Sequence, residues 1–218
     1  MSAGASPVPE PPDFAVISPA IYPWPAGEPV IRVYDLRYPV TAFNHGTRTA
    51  ALGRFHFFSD REGGRVPVLY GAEGEDAAIS ETVFHDAPVD RGRAFVPARR
   101  LEDRALGWLR ARRELLLVEL LGHGLRRLGL RPENLTATEA DQYEHTVLWA
   151  KAVHRSFLDI DGLIWMSRQF NAERALVLFG DRVAEGDLEA VGPAVPLELG
   201  PGREIVDRAA NRADIVIG

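Results

Sequence analysis

The sequence predicts an α+β fold, mixed β-sheets with flanking helices, and three observations carry that reading. Short β-branched or apolar runs recur at 30–34, 66–70, 114–122 and 175–179. Helix-like stretches follow residue 77 and run from 136 to about 155. Apolar residues make up 46% and charged residues 26%, the balance of a globular protein large enough to bury about 70% of its unfolded surface.

Residues 1–29 hold eight of the sixteen prolines and read as an arm, disordered to Asp13 and then extended, with Tyr22 and Trp24 as anchors. A single domain spans 30–218, opening on the strand 30–34. There Arg32 shares a strand face with Val30 and Tyr34, so it serves either a structural ion pair or a pocket. Gly53-Arg54-Phe55-His56 follows, then a polar turn at 60–64. In the strand 66–70, Val66, Val68 and Tyr70 point one way, and Gly71 and Gly74 end it. Glu73, Glu75 and Asp76 collect where a helix begins, the sign favoured at a helix N-terminus. Ala77, Ile79, Val83 and Phe84 form its apolar arc, with Glu81 at the edge. A carboxylate there either keeps its head in water or is put to use, because half-burying a charge is costly.

Ala87-Pro88 stops that helix and a linker runs to Arg100. The run 114–122 reads as a buried strand with Glu114 and Glu119 near its ends, and 129–134 as loop. Thr136 and Glu139 have capping-box spacing for a helix to about Arg155, with Tyr143, Thr146, Val147, Ala150 and Val153 inward and His145 and His154 on its flanks. Asp161-Gly162-Leu163 leads toward Ser167, and the strand 175–179 ends at Gly180. The tail gives weak strand signals at 194–199, 204–206 and 215–217.

There are no cysteines, which excludes disulfides, thiolate metal sites and cysteine nucleophiles. No apolar run reaches membrane-spanning length and no signal segment opens the chain, so a cytoplasmic protein is expected. A net charge of −6 argues against a general nucleic-acid binder. Against that balance, 91–113 carries eight arginines, either a solvated surface or a face for phosphates or an acidic partner. No GxGxxG, Walker or HxxxH spacing is present, so neither those phosphate cradles nor a metal site is expected.

Tyr70-Gly71-Ala72, then Ala78-Ile79-Ser80-Glu81-Thr82-Val83 and His85, resembles the central segment of the RES domain family. Arg32 on the first strand, Gly53-Arg54-Phe55 and the Asp161-Gly162-Leu163…Trp165…Ser167 segment match in order, over about 30–181. His56 departs from the Asn or Asp many members carry, and Arg48 competes with Arg54 for the pocket. The resemblance implies an ADP-ribosyltransferase-like cleft that takes NAD as substrate, with no cofactor or metal. It further implies a toxin neutralised by a helix-turn-helix (Xre-type) antitoxin, and a homodimer. The implied reaction cleaves the nicotinamide–ribose bond by hydrolysis or phosphorolysis. Glu81 would be the catalytic carboxylate beside Arg54 and Ser167, while Arg32, Arg54, Tyr70 and Ser167 would bind NAD. Alternatives are transfer of ADP-ribose to a protein and a silent binding module that keeps the fold.

Overall fold

The computed structural model of the chain describes residues 8–46, 53–85, 87, 89–90 and 93–218. In order the elements are β1 (Ile21–Trp24), β2 (Pro29–Asp35), β3 (Val68–Ala72), α1 (Glu75–Thr82), β4 (Val89–Asp90), β5 (Arg93–Val96) and β6 (Arg104–Ala111). There follow β7 (Leu115–Glu119), α2 (Gly122–Arg127), α3 (Pro132–Leu135), α4 (Tyr143–Ser156), β8 (Gly162–Met166) and β9 (Arg174–Phe179). The chain ends with β10 (Leu188–Pro196), α5 (Gly200–Arg212) and β11 (Ile215–Ile217).

Eight strands form one sheet in the order β1-β7-β8-β9-β3-β2-β6-β10, and β11-β5-β4 form a small second one. Only β7 with β8 runs parallel in the large sheet; its other pairs are antiparallel. β2 pairs with β6 along its whole length and β3 likewise with β9, whereas β2 and β3 meet at one pair, Ile31 with Ala72. Gly71 permits that approach, because a Cβ there would lie 2.3 Å from Val30 Cγ1. Past this point the strands part. The chain after β2 crosses the gap and rejoins β3 where Asn44 and Val68 exchange backbone hydrogen bonds of 2.7 and 3.0 Å. A split sheet of this kind leaves a cleft between its halves.

The two faces are covered by different helices. α1 and α5 bury Ile79, Val83, Val206 and Ala209 against Ile31, Val33, Ala72 and Leu106. α4 lays Val147, Trp149, Ala150 and Val153 among Val118, Leu163, Trp165, Val177 and Phe179. Each fully buried aliphatic or aromatic side chain of this kind contributes about 1.5–3 kcal/mol.

Several elements differ from the sequence reading. The arm is packed from Val8 onward: Phe14 sits edge-on to Trp149 and Phe157, and the Trp149 indole donates to Pro9 O at 2.7 Å. Residues 21–24 then add a strand to the sheet edge, with Trp24 only 1% exposed. The linker to Arg100 holds β4 and β5, and the basic run 91–113 contains β6, whose Leu106 and Leu109 are fully buried. Thr136 closes α3 instead of opening a long helix, and α4 begins at Tyr143. Glu204 to Val206, read as strand, lie in α5, where Val206, Ala209 and Ala210 make a helical stripe.

Asp161 shows what the Asp-Gly-Leu segment does locally. Its carboxylate is 5% exposed and takes Arg113 in a fork, Nη1 at 2.8 Å and Nη2 at 2.6 Å, plus the Leu116 N–H at 2.9 Å. It thereby ties the start of β8 to β7. Gly162 beside it has no room for a side chain, since a Cβ would meet Val177 O at 2.0 Å. We expect Asp161→Ala to lower the unfolding free energy by about 1–3 kcal/mol, because it removes the forked partner of Arg113 and leaves the partly buried Leu116 N–H without its acceptor. Urea denaturation of the variant against the parent measures this.

Candidate active site

The cleft between β2 and β3 is a cavity of about 260 Å³ walled by Arg32, Arg54, His56, Tyr70, Glu81, His85, Tyr143 and Trp165, among others. Glu81 stands in the last turn of α1. The Ser167 hydroxyl donates to its Oε1 at 2.7 Å and the Arg168 N–H donates to the same oxygen at 2.8 Å. Oε2 accepts no hydrogen bond among the described residues. The carboxylate is therefore fixed through one oxygen, with the other unspent. The helix end that carries it is held in turn by Arg100, whose Nη1 donates to Val83 O at 3.1 Å and His85 O at 2.8 Å. A cation on those terminal carbonyls also suits the helix dipole.

Ser167 does not line the cavity. It is fully buried, giving its hydrogen to Glu81 while its oxygen accepts from Phe170 N–H at 3.1 Å. In this geometry it acts on the carboxylate. Arg54 is 4% exposed and its guanidinium is braced by Thr138: Nη1 donates to the carbonyl at 3.0 Å and to Oγ1 at 2.7 Å. Nη2 reaches the Tyr143 hydroxyl at 3.4 Å, and the guanidinium lies 5.1 Å from the centroid of that ring. Tyr143 in turn hydrogen-bonds His85 Nε2 at 2.8 Å. The Thr138 carbonyl also accepts from Arg168 Nη1 at 2.9 Å, so one turn anchors both the arginine wall and the loop behind Glu81.

Arg32 donates Nη1 to Val40 O and Ala42 O, both at 3.0 Å, and so pins the segment that crosses the cleft. Burial lowers its pKa to about 10, which leaves it charged near neutrality. Its Nε and the indole Nε1 of Trp165 are buried with no hydrogen-bond partner among the described residues. Buried donors of this sort are costly unless something accepts from them. The Tyr70 hydroxyl accepts from Phe55 N–H at 3.2 Å and lies 2.9 Å from His56 Nδ1. Burial raises the phenol pKa and lowers that of His56 to about 4. Both groups are therefore neutral near pH 7 and share one hydrogen bond.

The sequence profile of the RES domain matches residues 29–200. The chain belongs to the RES domain family. Curated proteins give no match. Among solved structures, the toxin in the crystal structure of the M. tuberculosis MbcT–MbcA toxin–antitoxin complex superposes with a TM-score of 0.51. It is 16% identical, over 83% of this chain and 89% of that one, which is a likeness of fold.

Within this RES domain, Arg32, Arg54, Tyr70 and Glu81 come together on one cavity and Ser167 stands behind Glu81. Arg48, the alternative to Arg54, lies outside the described residues. Sequence reasoning missed Thr138, Tyr143, His85 and Arg100 as supports. Tyr143 was legible only as an inward helix residue, and Arg100 only as one charge in a basic run. No helix among the described residues is long and apolar enough to cross a membrane.

The His56 environment has a stability consequence. Its ordinary pKa of 6.5 applies to the unfolded chain, which therefore binds a proton that the folded chain, at about 4, refuses. This contribution is present above pH 6.5 and is lost as pH falls toward 4. Between pH 7 and pH 4.5 we expect the parent to lose about 2 kcal/mol more than His56→Asn, read from urea denaturation at the two pH values.

Proposed function

We propose that this RES domain consumes NAD by cleaving the bond between nicotinamide and ribose C1′, and that it acts as a toxin restrained by an antitoxin. What supports the reaction is the carboxylate of Glu81, immobilised through Oε1 on a cavity whose other charged walls are arginines. In the cleavage, the bonding electron pair leaves with nicotinamide, which departs neutral. The ribose carbon becomes an oxocarbenium ion, as in glycoside hydrolysis. At about 4 Å and an effective dielectric near 20, a fixed carboxylate stabilises that cation by about 4 kcal/mol before desolvation. That corresponds to nearly three powers of ten in rate.

Each neighbour then has a defined task. Ser167 and the Arg168 N–H keep Glu81 from turning away, so the site need not reorganise as charge develops. Arg54, held by Thr138, keeps positive charge on the cavity wall for the phosphate side of the substrate, and Arg32 does the same at the crossing segment. Tyr70, locked by Phe55 and His56, presents a ring to the nicotinamide. Water or inorganic phosphate then adds to C1′ and loses a proton, giving ADP-ribose or its 1-phosphate. The toxin role is supported by family membership and by the shared fold with the MbcT toxin; a small helix-turn-helix protein is the expected antitoxin.

Purified protein incubated with NAD, with and without phosphate, is expected to release nicotinamide, and phosphate dependence identifies the acceptor. Glu81→Gln should lower the rate about 1,000-fold; an active Glu81→Gln protein would end the assignment. Ser167→Ala should lower kcat about tenfold with little change in KM, since it orients the carboxylate without touching substrate. A raised KM at constant kcat would instead place that hydroxyl on the ligand.

A further inference from the structure

The cavity beside Glu81 is small for the substrate proposed above. At about 260 Å³ it falls below the roughly 300–1,000 Å³ of pockets that enclose drug-sized ligands, and a dinucleotide is larger than most. A nicotinamide and its ribose suit that space, and the ADP half needs another. A second, open cavity of about 870 Å³ shares Arg32, Val33 and Asn44 with the first. Its further wall includes Tyr38, Arg99 and Arg104.

The groove carries charges of both signs: Arg37 and Arg99 are exposed, and Asp35 is partly buried. Glu102, Asp103 and Glu185 are exposed, and Asp35 is taken by Arg37, whose Nε donates to it at 2.9 Å. Arg104, which opens β6, is partly buried and makes no hydrogen bond or ion pair through its side chain among the described residues. Burial and the neighbouring Arg100 lower its pKa, and the opposing pull of Asp35, its cross-strand partner, offsets this only in part. Most of the basic run 91–113 is otherwise absorbed. Arg93 pairs with Asp214, Arg100 holds two carbonyls, Arg110 meets Glu189 and Arg113 holds Asp161. Among the described residues of that run, Arg104 is the partly buried guanidinium that makes no hydrogen bond or ion pair. On the same groove Tyr38 is 59% exposed, with Arg37 5.9 Å from its ring centroid. Arg104 and the exposed Tyr38 ring lie on one groove, and a guanidinium and an exposed aromatic ring are the groups that take a phosphate and a stacked base.

We propose that the groove lined by Arg104 and Tyr38 is the subsite for the ADP half of the substrate, Arg104 pairing with the pyrophosphate and Tyr38 stacking on adenine. This rests on the NAD reading and extends it to residues outside the Glu81 cavity. A free phosphate that serves as acceptor would offer Arg104 the same chemistry, so the two sources must be separated.

The test is calorimetric titration of the full chain with ADP and, separately, with inorganic phosphate. The parent protein is expected to bind ADP, Arg104→Gln to bind it at least tenfold more weakly, and Tyr38→Ala several-fold more weakly. Glu81→Gln should bind ADP as the parent does. Thermal melting of both groove variants checks folding, and Tyr38, being exposed, gives a second route should Arg104→Gln melt early. Absent ADP binding by the parent, or equal ADP binding by parent and both variants, overturns the subsite. Weakened phosphate binding with unchanged ADP binding in Arg104→Gln also overturns it, assigning the arginine to the acceptor. Because ADP binding needs no bond cleavage, intact binding without nicotinamide release would sink the reaction and leave the subsite standing.

Discussion

One backbone pair, Ile31 with Ala72, joins the two halves of the large sheet, and the cleft exists because the pairing goes no further. Regular strands would have zipped β2 to β3 and filled the gap with ladder hydrogen bonds. Instead the chain after β2 swings out and returns at Asn44, and Arg32 holds that detour by two of its carbonyls. The helix that follows β3 then crosses the open side with its last turn at the cleft. Position, in this protein, comes from an interruption of the sheet.

Within that frame the polar groups are arranged in a chain of supports. Glu81 leans on Ser167 and Arg168, Arg54 on Thr138 and Tyr143, and Tyr143 on His85. Because these contacts are buried or nearly so, each is stronger than it would be in water, and each is costly to leave half-made. Among the described residues, two buried donors of the cleft wall, Arg32 Nε and Trp165 Nε1, have no acceptor. A site that keeps spare donors and one spare carboxylate oxygen suits an electron-rich ligand that develops positive charge at one atom.

Much of this was legible in the chain. Strands β2, β3, β7 and β9 announce themselves by apolar and β-branched runs, and α1 by acids followed by an apolar arc with Glu81 at its edge. The strand β6 was hidden because Arg104, Arg110, Arg112 and Arg113 surround its apolar residues and make the segment read as surface. α5 was hidden because Ile205 and Val206 look like strand when the later Ala209 and Ala210 are ignored. In the site, the order of motifs located Arg32, Arg54, Tyr70 and Glu81, but not who supports whom. That Ser167 serves Glu81 is a contact across 86 residues, which no local pattern encodes. Tyr143 and Thr138 escaped for the same reason: their chemistry appears only once α4 is packed against the Arg54 segment.

The carbonyl of Thr138 receives both Arg54 and Arg168. A single oxygen on the turn before α4 is thus common to the guanidinium on one wall and to the loop that steadies the acid on the other. Neither side can relax by itself: tilting that turn by an ångström would loosen the two together, and seating it firmly would tighten both at once.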